Sequence, residues 1–141
     1  LVQEEDLSAI NWLSDGCKLV AVAGLLSSAA YRKHGIEESV IKFRFDCMRS
    51  ALPEKAEIFS CPNKFAEWAY FQNLDAVLMA EVPVGICKDV IIDLESLLAS
   101  HEIKIIKRRH WWDTHFYPAA RAGFFNFKKS IPSALAKLKQ T

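Results

Sequence analysis

Short apolar runs alternate along this chain with segments whose apolar residues recur every three or four positions. Four runs have the length and composition of buried β-strands, and they cover residues 18–23, 57–60, 75–80 and 103–107. Helical spacing predicts helices over 36–52, from an Asn63 cap onward, and over 86–100. Parallel strands need long crossover connections, which these helices supply. The pattern therefore predicts an α/β fold, a Rossmann-like doubly wound parallel sheet of about five strands with helices on both faces.

The chain opens with a helix-like segment, residues 6–13, before the first predicted strand. Doubly wound domains ordinarily begin with a strand, often the central one. We therefore expect the first strand to lie upstream of Leu1, or Leu1 and Val2 to be its remnant. A length of 141 residues suits one hydrophobic core. We predict a single domain over 1–141, in which residues 118–141 form an irregular and helical tail.

Composition excludes several classes of protein. A hydrophobic fraction of 51% and a charged fraction of 25% are those of a soluble globular chain. The net charge of +1 gives no overall field for nucleic acid or an anionic membrane. The longest apolar stretch, residues 19–30, is shorter than the roughly 20 residues of a membrane-spanning helix, so no span is expected.

The cysteines are scattered, without the C-x-x-C spacing of a zinc site. They are Cys17, Cys47, Cys61 and Cys87. We predict free thiols, which suit a reducing compartment such as the cytosol, the nucleus or an organelle interior, the chloroplast included. We assign no metal site to them.

The densest group of polar and aromatic side chains follows the fourth predicted strand. It consists of His110, Trp111, Trp112, Asp113, His115, Phe116 and Tyr117. Open parallel sheets bind ligands beyond the carboxyl ends of their strands, so an aromatic slot here could stack a flat ring. Aromatic side chains also dominate ordinary cores and interfaces. We favour packing or contact with a partner protein over ligand binding.

Catalysis and metal binding have weaker sequence support in that group. Asp113 could orient His110 or His115 as an acid–base pair, but no nucleophile motif accompanies them, and we assign no catalytic residue. The spacing of these three residues matches neither one helix face nor one strand face, so a metal site is not predicted.

Two further motifs have an ordinary explanation. Residues 24–28 could approach a phosphate through backbone amides, but Gly24 is a single glycine where nucleotide fingerprints need two or three, which favours a plain turn. The basic residues at 104 and 107–109, next to two tryptophans, could contact single-stranded nucleic acid. Alternation along a strand favours a solvated face, so nucleic-acid binding is not expected.

Three segments in the second half carry a family resemblance. Asp75-Ala76-Val77 leads to Glu81-Val82, Thr114 to Pro118 reads T-H-F-Y-P, and Phe124 to Ser130 reads F-F-N-F-K-K-S. In order and spacing they resemble the N-terminal α/β antenna domain of the DNA photolyase and cryptochrome family. The DASH-type cryptochromes are most similar, with Trp111 and residues 127–130 in matching places. The resemblance implies a five-stranded parallel sheet.

The chain also departs from that family pattern. Gln3, Glu4 and Glu5 stand where the resemblance implies arginines, and Pro132 stands where DASH members have the glutamate that holds a folate. Trp112-Asp113 replaces a small residue, which is expected to crowd the pocket mouth. The helical domain that binds FAD in the family is not among these residues. These departures favour loss of the light chemistry from this chain.

We therefore expect a non-catalytic module that binds a protein partner or larger complex through Trp111, Trp112, Phe116 and Tyr117. The first alternative is the antenna part of a light-dependent deoxyribodipyrimidine photolyase or blue-light receptor, with a folate or flavin. The second is an adenine-nucleotide-binding domain with its ligand near Gly24 and residues 80–84. The cofactor-binding candidates for these alternatives are Gly24, Glu81, Trp111, Asp113, Thr114 and Phe116.

Overall fold

The structure is a computed structural model that describes residues 1–14, 16–17 and 19–138, without the side chains of residues 121, 122, 126 and 138. The chain divides into two compact units, Leu1–Arg108 and Arg109–Thr141. The predicted tail, residues 118–141, thus begins inside the second unit. Within the described residues, no helix is both long and apolar enough to cross a membrane, as the sequence predicts.

The first unit alternates strands and helices. Its strands are β1 (Ala23–Leu25), β2 (Glu57–Phe59), β3 (Ala76–Ala80) and β4 (Lys104–Arg108). Its helices are α1 (Ser28–Lys33), α2 (Glu38–Ala51), α3 (Pro62–Phe71) and α4 (Ile86–Ser100), preceded by a 3₁₀ turn at Leu7–Asn11. β1 pairs with β2 and β3 pairs with β4, both in parallel, which gives two two-stranded sheets. The predicted α/β character and the parallel pairing are confirmed.

Leu1 and Val2 lie between these two sheets. The Val2 amide donates to the Ala23 carbonyl at 2.8 Å, and the Leu25 amide donates to the Val2 carbonyl at 3.2 Å. On the other side, the Leu1 amine donates to the Leu78 carbonyl at 2.7 Å. These two residues therefore hydrogen-bond to both β1 and β3.

Two groups of buried side chains lie on opposite faces of β1. Ala23 and Leu25 belong to the larger group, with residues from α3 and α4. Leu26, the residue directly after β1, belongs to the second group, with Met48 of α2. Successive side chains of a strand point to opposite faces, so helices cover β1 on both sides. The largest fully buried side chains are Met48, Phe65, Met79, Ile91, Leu94 and Leu98.

The first predicted strand is wrong in position. The strand begins at Ala23 and ends at Leu25, while Leu19 and Val20 are exposed and not in a strand. Lys18 lies outside the described residues. Pairing explains the shift, because Val2 and β2 supply hydrogen-bonding neighbours only from Ala23 onward. The β-propensity of residues 19–22 alone does not form a strand.

Two helix starts also differ from prediction. Cys61, not Asn63, is the N-cap of α3, because Pro62 fits the first helical turn without needing an amide partner. The turn predicted over residues 24–28 instead leads into α1, where the Ser27 hydroxyl accepts a hydrogen bond from the Ala30 amide. By contrast, α4 has the predicted bounds of 86–100.

The described part of the second unit is helical. It contains α5 (Trp111–Phe116), a 3₁₀ helix (Tyr117–Ala122) and α6 (Phe124–Leu138). Pro132 lies inside α6. A proline has no amide hydrogen to donate to the preceding turn, so one hydrogen bond of that helix is missing.

Candidate functional site

His110 starts the aromatic helix α5. Its Nδ1 accepts a hydrogen bond from the Trp112 amide at 3.3 Å, which satisfies one free donor of the first turn. The Thr114 hydroxyl donates to the His110 carbonyl at 3.2 Å. The hydrogen bonds of the His110 imidazole and the Thr114 hydroxyl therefore stabilise the amino-terminal end of α5.

A chain of ring contacts packs α5 against α6. The centroid of Trp112 lies 4.3 Å from that of Phe116, and the Phe116 centroid lies 5.7 Å from that of Phe127. Phe116 is 4% exposed. The prediction that Phe116 belongs to a contact surface is therefore wrong, because this ring supports α5 from within.

The other three predicted contact residues have exposed aromatic side chains. Trp111 is 46% exposed, Trp112 is 41% exposed and Tyr117 is 62% exposed. Trp111 and Trp112 meet edge to face, with centroids 5.4 Å apart. The Arg109 guanidinium lies over the Tyr117 ring at 5.2 Å from its centroid. We call Trp111, Trp112 and Tyr117 the aromatic surface. These are the predicted contact residues other than Phe116.

The described residues give no support to metal binding by His110, Asp113 and His115. Among the described residues, the side chains that bring three potential metal ligand atoms within 4.8 Å of one another are those of Glu4, Glu5 and Cys87. Asp113 and His115 are exposed side chains of α5.

The remaining cofactor candidates lie in the first unit. Gly24 is buried in β1, and a Cβ atom placed on it would lie 2.5 Å from the Met48 Sδ atom. Close packing of α2 therefore accounts for this glycine. Glu81 is exposed just after β3, and its amide donates to the Arg108 carbonyl at 2.8 Å. That bond extends the pairing of β3 with β4.

A polar cluster beyond the carboxyl ends of the strands was missed in the sequence. Glu4 follows Val2, and Cys87 lies in the first turn of α4, which follows β3. The Cys87 thiol donates to Glu4 Oε1 at 3.1 Å, and Arg44 Nη1 lies 3.5 Å from the same oxygen. Arg44 also donates to the Tyr31 hydroxyl at 3.2 Å. Four residues distant in sequence meet here.

Burial sets the ionisation of this Glu4–Cys87 cluster. The Glu4 side chain is 3% exposed, and its Oε2 atom has no hydrogen-bond partner among the described residues. Burial raises the pKa of Glu4, while the Cys87 hydrogen bond and the Arg44 charge oppose that shift. Burial raises the pKa of Cys87, and the hydrogen bond to Glu4 raises it further. The thiol is therefore protonated at neutral pH and is a poor nucleophile.

Sequence patterns give little indication of this cluster. Its members come from four separate segments, and none stands in a short motif. The one usable signal is position, because Glu4 follows Leu1–Val2, the expected remnant of a central strand, and Cys87 follows the strand predicted over 75–80. In doubly wound folds such positions lie at a ligand crevice.

Comparison with known proteins adds no relative. The chain matches no family model, no curated protein and no solved structure.

Proposed function

We propose that this chain is a photolyase/cryptochrome-like α/β module that binds a protein partner and performs no catalysis itself. The observation that carries the proposal is the aromatic surface, where Trp111 and Trp112 on α5 and Tyr117 just after it stay exposed next to the buried Phe116. Tryptophan and tyrosine are enriched at protein interfaces, where they supply large contact area at low cost in side-chain entropy.

The proposed family fold has one continuous sheet. We infer that Leu1–Val2 is its middle strand, hydrogen-bonded to β1 on one side and to β3 on the other. The order is then β2, β1, Leu1–Val2, β3, β4. In chain order the middle strand comes first, which is the arrangement of doubly wound nucleotide-binding sheets. It is also the five-stranded sheet that the family resemblance implies.

The charge of the second unit indicates the kind of partner. Residues 109–141 contain six lysines and arginines against the single acid Asp113, although the whole chain has a net charge of +1. Arg109 already stacks on Tyr117. A segment of net positive charge with exposed aromatic rings suits a partner that presents acidic side chains around an apolar patch, because opposite potentials steer association.

The test is a binding titration with a fluorescent acidic peptide that alternates glutamate and leucine. Replacing Trp111 and Trp112 together by alanine should weaken binding at least tenfold, which corresponds to about 1.4 kcal/mol. Circular dichroism and thermal unfolding should change little, because both rings are substantially exposed. The matched control replaces Tyr70 and Phe71, two exposed aromatic residues of α3, and should bind as the parent does.

Two results would overturn this function. If the Trp111/Trp112 variant unfolds, the two rings belong to the core and do not form a docking surface. If a single-stranded oligonucleotide of equal charge binds more tightly than the peptide at the same ionic strength, the surface serves nucleic acid.

The antenna and nucleotide alternatives are tested on the same preparation. A bound folate or flavin would absorb in the near-ultraviolet or visible range. A colourless protein whose melting temperature is unchanged by folate, flavin or millimolar ATP binds none of them appreciably. An absorbing protein would favour the antenna function over the interaction module.

A further inference from the structure

A third potential ligand, Glu5, joins the Glu4–Cys87 cluster. The Asp6 amide donates to the Gln3 carbonyl at 3.2 Å, which closes a β-turn. Glu4 and Glu5 are the two central residues of this turn, and Cys87 is the second residue of α4. One oxygen of each glutamate and the sulfur of the cysteine lie within 4.8 Å of one another. Two carboxylates and a thiol, from a turn and a helix that are distant in sequence, therefore share one small volume.

The Glu4 carboxylate has an acceptor atom that the described residues leave without a donor. Its side chain is 3% exposed, and Oε2 has no hydrogen-bond partner within that part of the chain. The other oxygen, Oε1, accepts from the Cys87 thiol at 3.1 Å. Leaving a buried carboxylate oxygen unpaired is destabilising, and a bound cation would pair with it. Because both oxygens belong to one carboxylate, the unpaired atom lies beside the other ligand atoms.

Arg44 balances only part of the negative charge of this cluster. Its Nη1 lies 3.5 Å from Glu4 Oε1, which is longer than a charge-assisted hydrogen bond. The same guanidinium lies over the Tyr31 ring at 5.2 Å from its centroid and donates to the Tyr31 hydroxyl at 3.2 Å. Two carboxylates and a thiolate exceed this one guanidinium by two negative charges. One divalent cation would bring the sum to zero.

The types of ligand atom select the kind of cation. Mg²⁺ and Ca²⁺ take oxygen ligands, whereas a thiolate favours softer ions such as Zn²⁺. Zinc binds sulfur at about 2.3 Å and carboxylate oxygen at about 2.1 Å, so its tetrahedral ligands lie roughly 3.5 Å apart. The three atoms here lie within 4.8 Å of one another, and Glu5 is exposed. Rotation of the Glu5 side chain, with a movement on the order of 1 Å, is enough to complete that geometry.

We propose that Glu4, Glu5 and Cys87 bind a divalent cation of the zinc class, with the Cys87 sulfur and one oxygen of each glutamate as ligands. The thiol proton passes to the solvent when the sulfur binds the ion. Three protein ligands leave the fourth tetrahedral position for water or a small ligand. Cysteine spacing does not indicate this site, because the other two ligands are carboxylates from a different segment. The site lies in the first unit, apart from the aromatic surface, and goes beyond the proposed function.

The experiment is a titration of the metal-free full chain with Co²⁺, followed by absorption spectroscopy. Co²⁺ takes the same tetrahedral sites as Zn²⁺, and a thiolate ligand gives it a charge-transfer band in the near-ultraviolet. We expect this band to appear and to saturate at one ion per chain. Excess Zn²⁺ should remove the band by competition, whereas the same concentration of Mg²⁺ should not, because Mg²⁺ prefers oxygen ligands.

Protein variants locate the bound ion. Cys87→Ser should abolish the charge-transfer band, and Cys17→Ser, which removes an exposed thiol, should leave it unchanged. Glu5→Gln should raise the Kd for Co²⁺ at least tenfold because it removes one carboxylate ligand. Its matched control is Glu54→Gln, an exposed glutamate after α2, which should leave the Kd unchanged. Thermal unfolding without metal checks that each variant is folded. If Cys87→Ser does not fold, the comparison of Glu5→Gln with Glu54→Gln decides.

Several outcomes would overturn the proposal. The first is absence of a saturable charge-transfer band at millimolar Co²⁺. A band that persists in folded Cys87→Ser but is lost in Cys17→Ser would assign the ion to the exposed thiol. Equal Kd values for Glu5→Gln and Glu54→Gln would show that Glu5 is not a ligand. Displacement of Co²⁺ by Mg²⁺ as readily as by Zn²⁺ would indicate a carboxylate surface without sulfur.

Discussion

At the scale of single residues, the backbone of β1 passes close to helix α2 at Gly24. A Cβ atom there would lie 2.5 Å from Met48 Sδ and 2.9 Å from Leu52 Cδ1. Met48 is fully buried, so it has little room to move away. The close approach of strand and helix, rather than a phosphate, explains why the strand has glycine at this position.

We expect Gly24→Ala to lower the free energy of unfolding by about 1–3 kcal/mol, the usual cost of overpacking a core. Chemical denaturation monitored by tryptophan fluorescence measures the change. Met48→Ala should relieve the clash, so the double variant should be more stable than the sum of the two single effects predicts. Additive effects would show that the two side chains do not meet.

At the scale of elements, the sequence predicts a helix or strand accurately when the apolar pattern that defines it lies entirely within its own residues. Helix α4 has an uninterrupted apolar face that includes Val90, Ile91, Leu94 and Leu98, all buried, and its predicted bounds are the observed ones. The strand predicted over 18–23 depends on pairing with Val2 and β2, which local propensity does not encode. The Glu4–Cys87 cluster depends on the same long-range pairing and was missed for that reason.

Two substitutions in α4 test its orientation. Leu94 is fully buried, whereas Ile92 is 51% exposed. Leu94→Ala should lower the free energy of unfolding by about 2–5 kcal/mol because it leaves a cavity in the core. Ile92→Ala, which removes a similar side chain two positions away, should lower it by less than about 1 kcal/mol. Urea denaturation of the two variants provides the comparison, and equal losses would contradict the helix orientation.

At the scale of the whole molecule, the near-zero net charge is the sum of an acidic segment and a basic segment. Residues 109–141 hold six of the 18 lysines and arginines but one of the 17 acids, so residues 1–108 are acidic in sum. The sequence composition, averaged over the chain, argues against electrostatic binding. The division at Arg108 places Trp111, Trp112 and Tyr117 in the same compact unit as these six basic residues.

Stability should also be uneven across the molecule. The fully buried side chains Ile91, Leu94 and Leu98 of α4 and Met79 of β3 lie in the first unit. We expect the amides of α4 and β3 to exchange with deuterium most slowly, and those of residues 19–22 to exchange within the shortest times. Mass spectrometry of peptides after exchange measures this order. Equal protection of residues 19–22 and β3 would contradict this order of stability.

Cys87 has a consequence for how the molecule can be observed. Its thiol is protonated, buried and hydrogen-bonded to Glu4, whereas Cys17 is exposed. A reagent that modifies thiols reaches Cys87 only when the surrounding helices separate, so each modified molecule records one opening event. The rate at which Cys87 is modified therefore reports how often the structure opens at the first turn of α4.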